Sequence, residues 1–387
     1  MGALWGALSV WEGPLDRFCS LVYEHYFSQS AELDQWFANC KNESRRQKLS
    51  SRAEVMEMAR QQMSSFHVSH LGIYDASETE EIWTSDAHST GIQSQFVDDE
   101  LLIFAVHPES PADKAGLRRG DRILKINNDE PNTYDAERLG GDFQIERKSE
   151  VLAVKVPPGK FTKDQTLKVR ELTPSTRVLR VESFRKEFFD WPTLQALFVK
   201  QAPHLKWIID LRGNAGGNFV AGLRLLSFFL CDTKSIGYLE RPREGELEED
   251  VLADDLDDDL QISQLERSSR LILETSEPPT CLAPKSVVVL VDRETASTAE
   301  LVSQAAHEHL AAPVIGEPTA GELLVSVWYP LPEWGEGVTL SIPEAIFVST
   351  MGHQVEGLGA SLSETLNWTK GSLKAGRDEW LETALRF

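Results

Sequence analysis

The sequence predicts an α/β protein, and three observations carry that prediction. Trp207 to Leu211 reads as a buried strand, followed by the glycine turn Gly213, Gly216, Gly217 and the apolar helix Phe219 to Leu230. Val287 to Val291 is a second apolar, β-branched run, followed by a polar turn and a helical pattern from Thr298. Strands that are apolar at nearly every position are buried on both faces, and the helix that follows each covers one of them. The third observation is a separate helical block, residues 15–63, ahead of both.

The chain has 387 residues, enough for two or three domains with a proper core, and is 41% hydrophobic and 26% charged. Its formal net charge is −22. Such a chain repels nucleic acid and anionic membrane surfaces. Cys19, Cys40, Cys231 and Cys281 are scattered, with no Cys-x-x-Cys pair, which argues against a zinc or redox motif. Their pairing stays open. The opening MGALWGALSVWEG lacks a basic leader and a long apolar core, so it is not read as a signal peptide. No apolar run approaches the ~20 residues of a membrane span.

In order, Phe18, Leu21, Val22 and Tyr26 follow helical spacing, and Leu33, Trp36 and Phe37 mark a second helix. Ser51 with Glu54 forms a capping-box pattern opening a third helix through Met63. The block ends in SSFHVSHLGIYD, which contains the pair Ser69-His70. On residues alone this His is equally well a surface group at a loop start.

Residues 106–131, VHPESPADKAGLRRGDRILKINNDEP, resemble the most characteristic stretch of a PDZ domain. Pro111 starts a short helix, Gly116 ends it, and Gly120-Asp121 turns the chain into a strand. Ser89, Thr90, Gly91 and Ile92 lie where such domains place the loop whose amides grip a peptide's terminal carboxylate. The other reading is a PDZ fold that gates and binds no chain end. The expected domains are a helical one at 1–70, a connecting strand and linker at 71–88, the PDZ domain at 89–172 and a core at 173–387. Residues 244–260, EGELEEDVLADDLDDDL, have no EF-hand spacing and read as a solvated, mobile insertion able to act as a flap. Short strands follow Ser326, and a last helix is expected over Asp378 to Leu385.

Ser297 sits where the second buried strand hands over to its helix. A hydroxyl there faces free backbone amides and the positive end of the helix dipole, which suits a nucleophile that develops negative charge. The plain alternative is a helix cap. The glycines of DLRGNAGG let backbone approach a substrate carbonyl. The absence of a Gly-Lys-Ser/Thr ending argues against a phosphate-binding loop.

ETASTAELV resembles the nucleophile segment of the carboxyl-terminal processing (tail-specific) proteases and the tricorn core peptidases. Asp210, Leu211, Arg212, Asn214, Gly216 and Gly217 meet the family's Asp-Leu-Arg-x-Asn-x-Gly-Gly motif in full. PVIGEPTAGELLVS resembles the segment that carries the processing proteases' general-base lysine, but the lysine position holds Glu322 and the following glutamine is Ser326. GHQVEGLGASLSETL resembles a third family segment, with Glu356 at its glutamate and Leu362-Ser363 in place of Pro-Asp. A glutamate with an ordinary pKa near ~4.3 is a poor base for a serine hydroxyl.

The resemblance therefore implies the tricorn-type tetrad: Ser297 as nucleophile, His70 as base, Ser69 orienting it and Glu356 polarising Ser69. It implies an oxyanion hole from Gly216 or Gly217 with Thr298, and no metal or cofactor. It also implies a core built as a layered spiral of ββα units, crotonase/ClpP-like, with the PDZ and helical domains packed on it. The function implied is serine endopeptidase activity on protein or peptide substrates, selected through their C-terminal end by the PDZ domain, in a periplasmic or secreted setting. A cytoplasmic setting, a homo-oligomer, an inactive PDZ-bearing binding protein or scaffold, and a crotonase-like ligand-binding or lyase protein remain alternatives. Glu356 and the negative net charge are expected to favour the imidazolium of His70.

Overall fold

The computed structural model describes residues 13–46, 51–84, 86–241 and 248–387. The apolar opening up to residue 12 and residues 244–247 of the acidic run lie outside the described residues. The chain forms two compact units, each discontinuous in sequence.

The first unit is 1–79 with 237–273 and 322–358. Its helices Asp16–His25, Ala31–Arg46 and Arg52–Met63 fall where the spacing predicts them. Ser51 caps the third, with Oγ accepting from the Glu54 amide at 3.3 Å and the Glu54 carboxylate accepting from the Ser51 amide at 3.3 Å. The organising strand is Thr339–Ser349. Gly72–Tyr74 and Leu324–Pro330 both pair antiparallel with it. Phe18, Val22, Met56 and Ala59 of the helices pack with Ile73, Leu340 and Ile342 of these strands. The helical stretch therefore has no core of its own, because its apolar face is completed by strands far away in sequence. The described part of the acidic run carries regular structure. Glu249–Val251 pairs parallel with Arg270–Glu274, and Asp257 caps the helix Asp258–Arg267. Backbone pairing and capping draw these carboxylates into regular structure that charge counting does not foresee.

The second unit is 80–236 with 274–321 and 359–387. Its sheet runs Glu364–Thr365, Val314–Gly316, Ser286–Val291, Lys206–Asp210, Thr176–Arg180 and Lys168–Thr173. All these pairings are parallel except the last. The helices Phe219–Leu230 and Thr298–Leu310 follow the two central strands and pack together, as the apolar runs predict. The hairpin that joins Lys168–Thr173 to Thr176–Arg180 carries residues 168–172, assigned above to the PDZ stretch, into this sheet.

The PDZ stretch itself is a five-stranded antiparallel sheet from Ile92–Val97 to Glu150–Val156. Ser110 caps its short helix Pro111–Lys114. Val97 and Leu102 of this sheet belong to the same apolar cluster as Val288, Leu290, Ile315 and Trp380. That shared core fixes the PDZ sheet to the sheet of the two central strands.

Candidate active site

In the second unit, Ser297 stands between the strand Ser286–Val291 and the helix Thr298–Leu310, at φ 55° and ψ −127°. An ordinary capping serine has extended backbone, and a positive φ is strained for a residue with a Cβ. The Ser297 amide donates to Glu300 Oε2 at 3.1 Å, and the Glu300 amide donates to the Ser297 carbonyl at 2.8 Å. Gly216 lies directly against the serine. A Cβ on it would stand 2.6 Å from Ser297 Cβ and 3.0 Å from Oγ. This close approach is what the glycine permits.

The oxyanion expectation changes at Gly216. Its amide is committed to Asn214 Oδ1 at 2.8 Å, and Asn214 in turn donates to the Val181 carbonyl at 3.0 Å. A committed, buried donor has no capacity left for an oxyanion. The amides of Gly217 and Thr298 donate to no acceptor among the described residues. The Thr298 hydroxyl donates to the Gly217 carbonyl at 2.6 Å and ties the two residues together.

In the first unit, Ser69, His70 and Glu356 form one hydrogen-bonded string. Ser69 Oγ is 2.6 Å from His70 Nδ1 and donates to Glu356 Oε2 at 2.8 Å. Glu356 also accepts from the Ser69 amide at 2.8 Å and from the Leu323 amide at 2.9 Å. A carboxylate only accepts, so the hydroxyl proton of Ser69 goes to Glu356. The network then assigns the His70 proton to Nδ1 and leaves Nε2 as the basic atom. His70 has φ 62°, and its carbonyl accepts from Ser341 Oγ at 2.6 Å. Burial lowers the imidazole pKa from its ordinary value, and the charge of Glu356 opposes the shift from second place. The expectation that His70 favours the imidazolium is thus reversed, because desolvation of the ring outweighs the carboxylate.

Glu322 precedes Leu323. Burial and the charge of Glu356 raise its carboxyl above the ordinary range.

Beside the PDZ sheet, three of the four expected carboxylate-gripping amides already have partners. The Thr90 amide donates to the Glu137 carbonyl at 2.9 Å, that of Gly91 to Ser89 Oγ at 3.2 Å and that of Ile92 to Thr90 Oγ1 at 3.2 Å. The neighbouring edge strand Ile92–Val97 has its Ser94 amide and Ser94 Oγ bonded to Glu137 Oε1 at 2.7 and 2.9 Å. Glu137 lies in the single turn Asp135–Leu139. Sequence reasoning read none of this, because an occupied donor looks the same as a free one in a sequence. It likewise gave no part to the Leu323 amide or to Glu300. The spacing of Ser297 and Glu300 is the capping-box signal that could have flagged Glu300.

Residues 178–361 match the model of peptidase family S41, and residues 103–137 match a PDZ domain model. The chain is 24% identical over 322 residues to the carboxyl-terminal-processing peptidase 1, chloroplastic, of Arabidopsis thaliana, covering 76% of this chain and 59% of that protein. It is 24% identical over 304 residues to the carboxy-terminal processing protease CtpA of Bacillus subtilis (strain 168), covering 73% of this chain and 57% of that protein. The alignments thus span under two thirds of these relatives' length. Among solved structures, a photosystem II D1 C-terminal processing protease superposes with a TM-score of 0.59 at 16% identity. That superposition covers 93% of this chain and 94% of the other, and it shows the α/β fold. The region that matches peptidase family S41 spans both the Ser297 helix and Glu356, and the region that matches a PDZ domain lies ahead of it in the same chain.

Proposed function

We propose that the chain is a serine endopeptidase in which Ser297 is the nucleophile and His70 the general base. The observation that carries this reading is the Ser69–His70–Glu356 string, which leaves Nε2 of His70 basic. In the proposed reaction Ser297 Oγ bonds to the peptide carbonyl carbon while His70 takes its proton. The oxyanion is met by the amides of Gly217 and Thr298. His70 returns the proton to the leaving amine as the C–N bond breaks, and water then hydrolyses the acyl-enzyme by the same route. Ser69 and Glu356 hold the ring and its tautomer.

Substrates are proteins or peptides, and no step needs a metal or cofactor. The names of the relatives favour substrates cut near a C-terminal end. Selection of that end by the PDZ sheet requires a ligand to displace Glu137 from Ser94. The disulfides Cys19–Cys40 and Cys231–Cys281 favour an oxidising setting, periplasmic or secreted.

The test is labelling by a fluorophosphonate probe together with peptide cleavage, in the intact chain and in Ser297→Ala. The expected result is loss of both in a folded variant. Cleavage by Ser297→Ala at the intact rate would leave the inactive, peptide-binding reading in its place.

A further inference from the structure

Glu300 is a fully buried carboxylate three residues after the proposed nucleophile. A glutamate that only caps a helix sits in the first turn, half in water, and accepts from the cap residue's amide. Glu300 does more. Its Oε2 accepts from the Ser297 amide at 3.1 Å, while Oε1 accepts from Thr319 Oγ1 at 2.6 Å and from the Gly321 amide at 2.7 Å. Thr319 is itself fixed, with Oγ1 accepting from the Ala360 amide at 2.8 Å. A Cβ at Gly359 would stand 2.6 Å from that oxygen. Removing a carboxylate from water is costly unless its oxygens are met by good donors, and here both oxygens are met.

The bond to Ser297 bears on a residue held at φ 55°. Such a conformation persists only where its surroundings over-determine it. We infer that Glu300 is a positioning residue for the reaction, fixing Ser297 in its strained conformation by bracing it against the turn Thr319 to Gly321. This rests on the reading of Ser297 as nucleophile. Glu300 touches no substrate and carries no proton. Its contribution is to hold Oγ in its attack geometry, which matters after substrate is bound.

The two oxygens make the role separable from capping. In Glu300→Gln the amide keeps one acceptor oxygen. If that oxygen serves Thr319 and Gly321, the NH2 group faces the Ser297 amide, donor against donor. Volume is conserved while the brace on Ser297 is lost.

The experiment measures kcat, KM, the pH profile and the fluorophosphonate labelling rate for Glu300→Gln, Thr319→Val and Ser297→Ala, each normalised to folded protein. For Glu300→Gln the expected result is a fall in kcat and labelling rate of about a hundredfold, the scale of losing one preorganised element of an active site. KM should stay within about threefold and the acidic limb should not move, since the proton still travels through His70. Thr319→Val, which removes one donor to Oε1 and leaves Glu300 in place, should lower kcat by about tenfold with KM unchanged. This second variant keeps the test open if Glu300→Gln fails to fold. A residue that merely caps its helix would lower Tm in both variants and leave kcat per folded molecule within about threefold, and that outcome would overturn the inference. Loss of activity in Ser297→Ala with full kcat in Thr319→Val and Glu300→Gln sinks the positioning role alone. Full activity in Ser297→Ala sinks the nucleophile reading and the inference with it.

Discussion

The hydroxyl of Ser69 donates to Glu356 Oε2 at 2.8 Å, so its one proton is spent and toward His70 it can only accept. This single relationship sets the tautomer of the proposed base and makes the three residues one unit.

The pH dependence follows from that unit. His70 must be neutral to accept a proton, and burial lowers its pKa below the ordinary imidazole value of 6.5. The neutral, competent form therefore persists below pH 6.5, and the acidic limb of kcat/KM should lie on the acid side of it. His70→Ala should abolish the limb with nearly all activity. Glu356→Gln removes the charge that raises the imidazole pKa, so the limb should move further toward acid. Ser69→Ala combined with Glu356→Gln should cost much less than the sum of the two, because Glu356 acts through the Ser69 hydroxyl. A limb above pH 7, or simple additivity, would refute the relay.

Glu322 occupies the position where the resembling proteases hold their lysine. Its carboxyl is pushed up by burial and by Glu356, yet the relay already contains a base. Glu322→Gln should leave kcat/KM within about tenfold, equal to about 1.4 kcal/mol. A loss of about a thousandfold would place Glu322 in the chemistry.

The PDZ edge is self-occupied, since Glu137 holds the Ser94 amide that an added strand would use. A peptide with a free C-terminal carboxylate should bind the intact chain weakly. Glu137→Ala should tighten binding by about fivefold or more, the worth of one released hydrogen bond. Amidating the peptide should weaken binding to that variant. Equal affinities for acid and amide in Glu137→Ala, read by calorimetry, would mean that the PDZ sheet serves as a fixed wall and recognises no chain end.

Both cysteine pairs close long loops, with separations of 21 and 50 residues. Chain-entropy arguments assign about 3 to 4 kcal/mol to each, so reduction should lower Tm clearly. Differential alkylation and mass spectrometry of the unreduced chain should find no free thiol. Free Cys231 or Cys281 in protein from an oxidising compartment would contradict the pairing.

The sequence by itself determined the central strands, the helices that follow them and the position of Ser297 between them. A buried strand is mostly apolar, and a helix start needs its caps, so both leave local marks. It also located the capping box at Ser51 and Glu54 and the short helix after Ser110. Only the tertiary structure decided what joins residues remote in the chain. It bonded Ser69 to Glu356 across 287 positions, paired the cysteines, and drew residues 249–251 into a sheet. It also bonded the Gly216 amide to Asn214 and left the Gly217 amide with no acceptor among the described residues. Hydrogen-bond commitments and desolvation depend on neighbours in space. That is why the resemblance could name His70 but the sign of its pKa shift came from the burial of its ring.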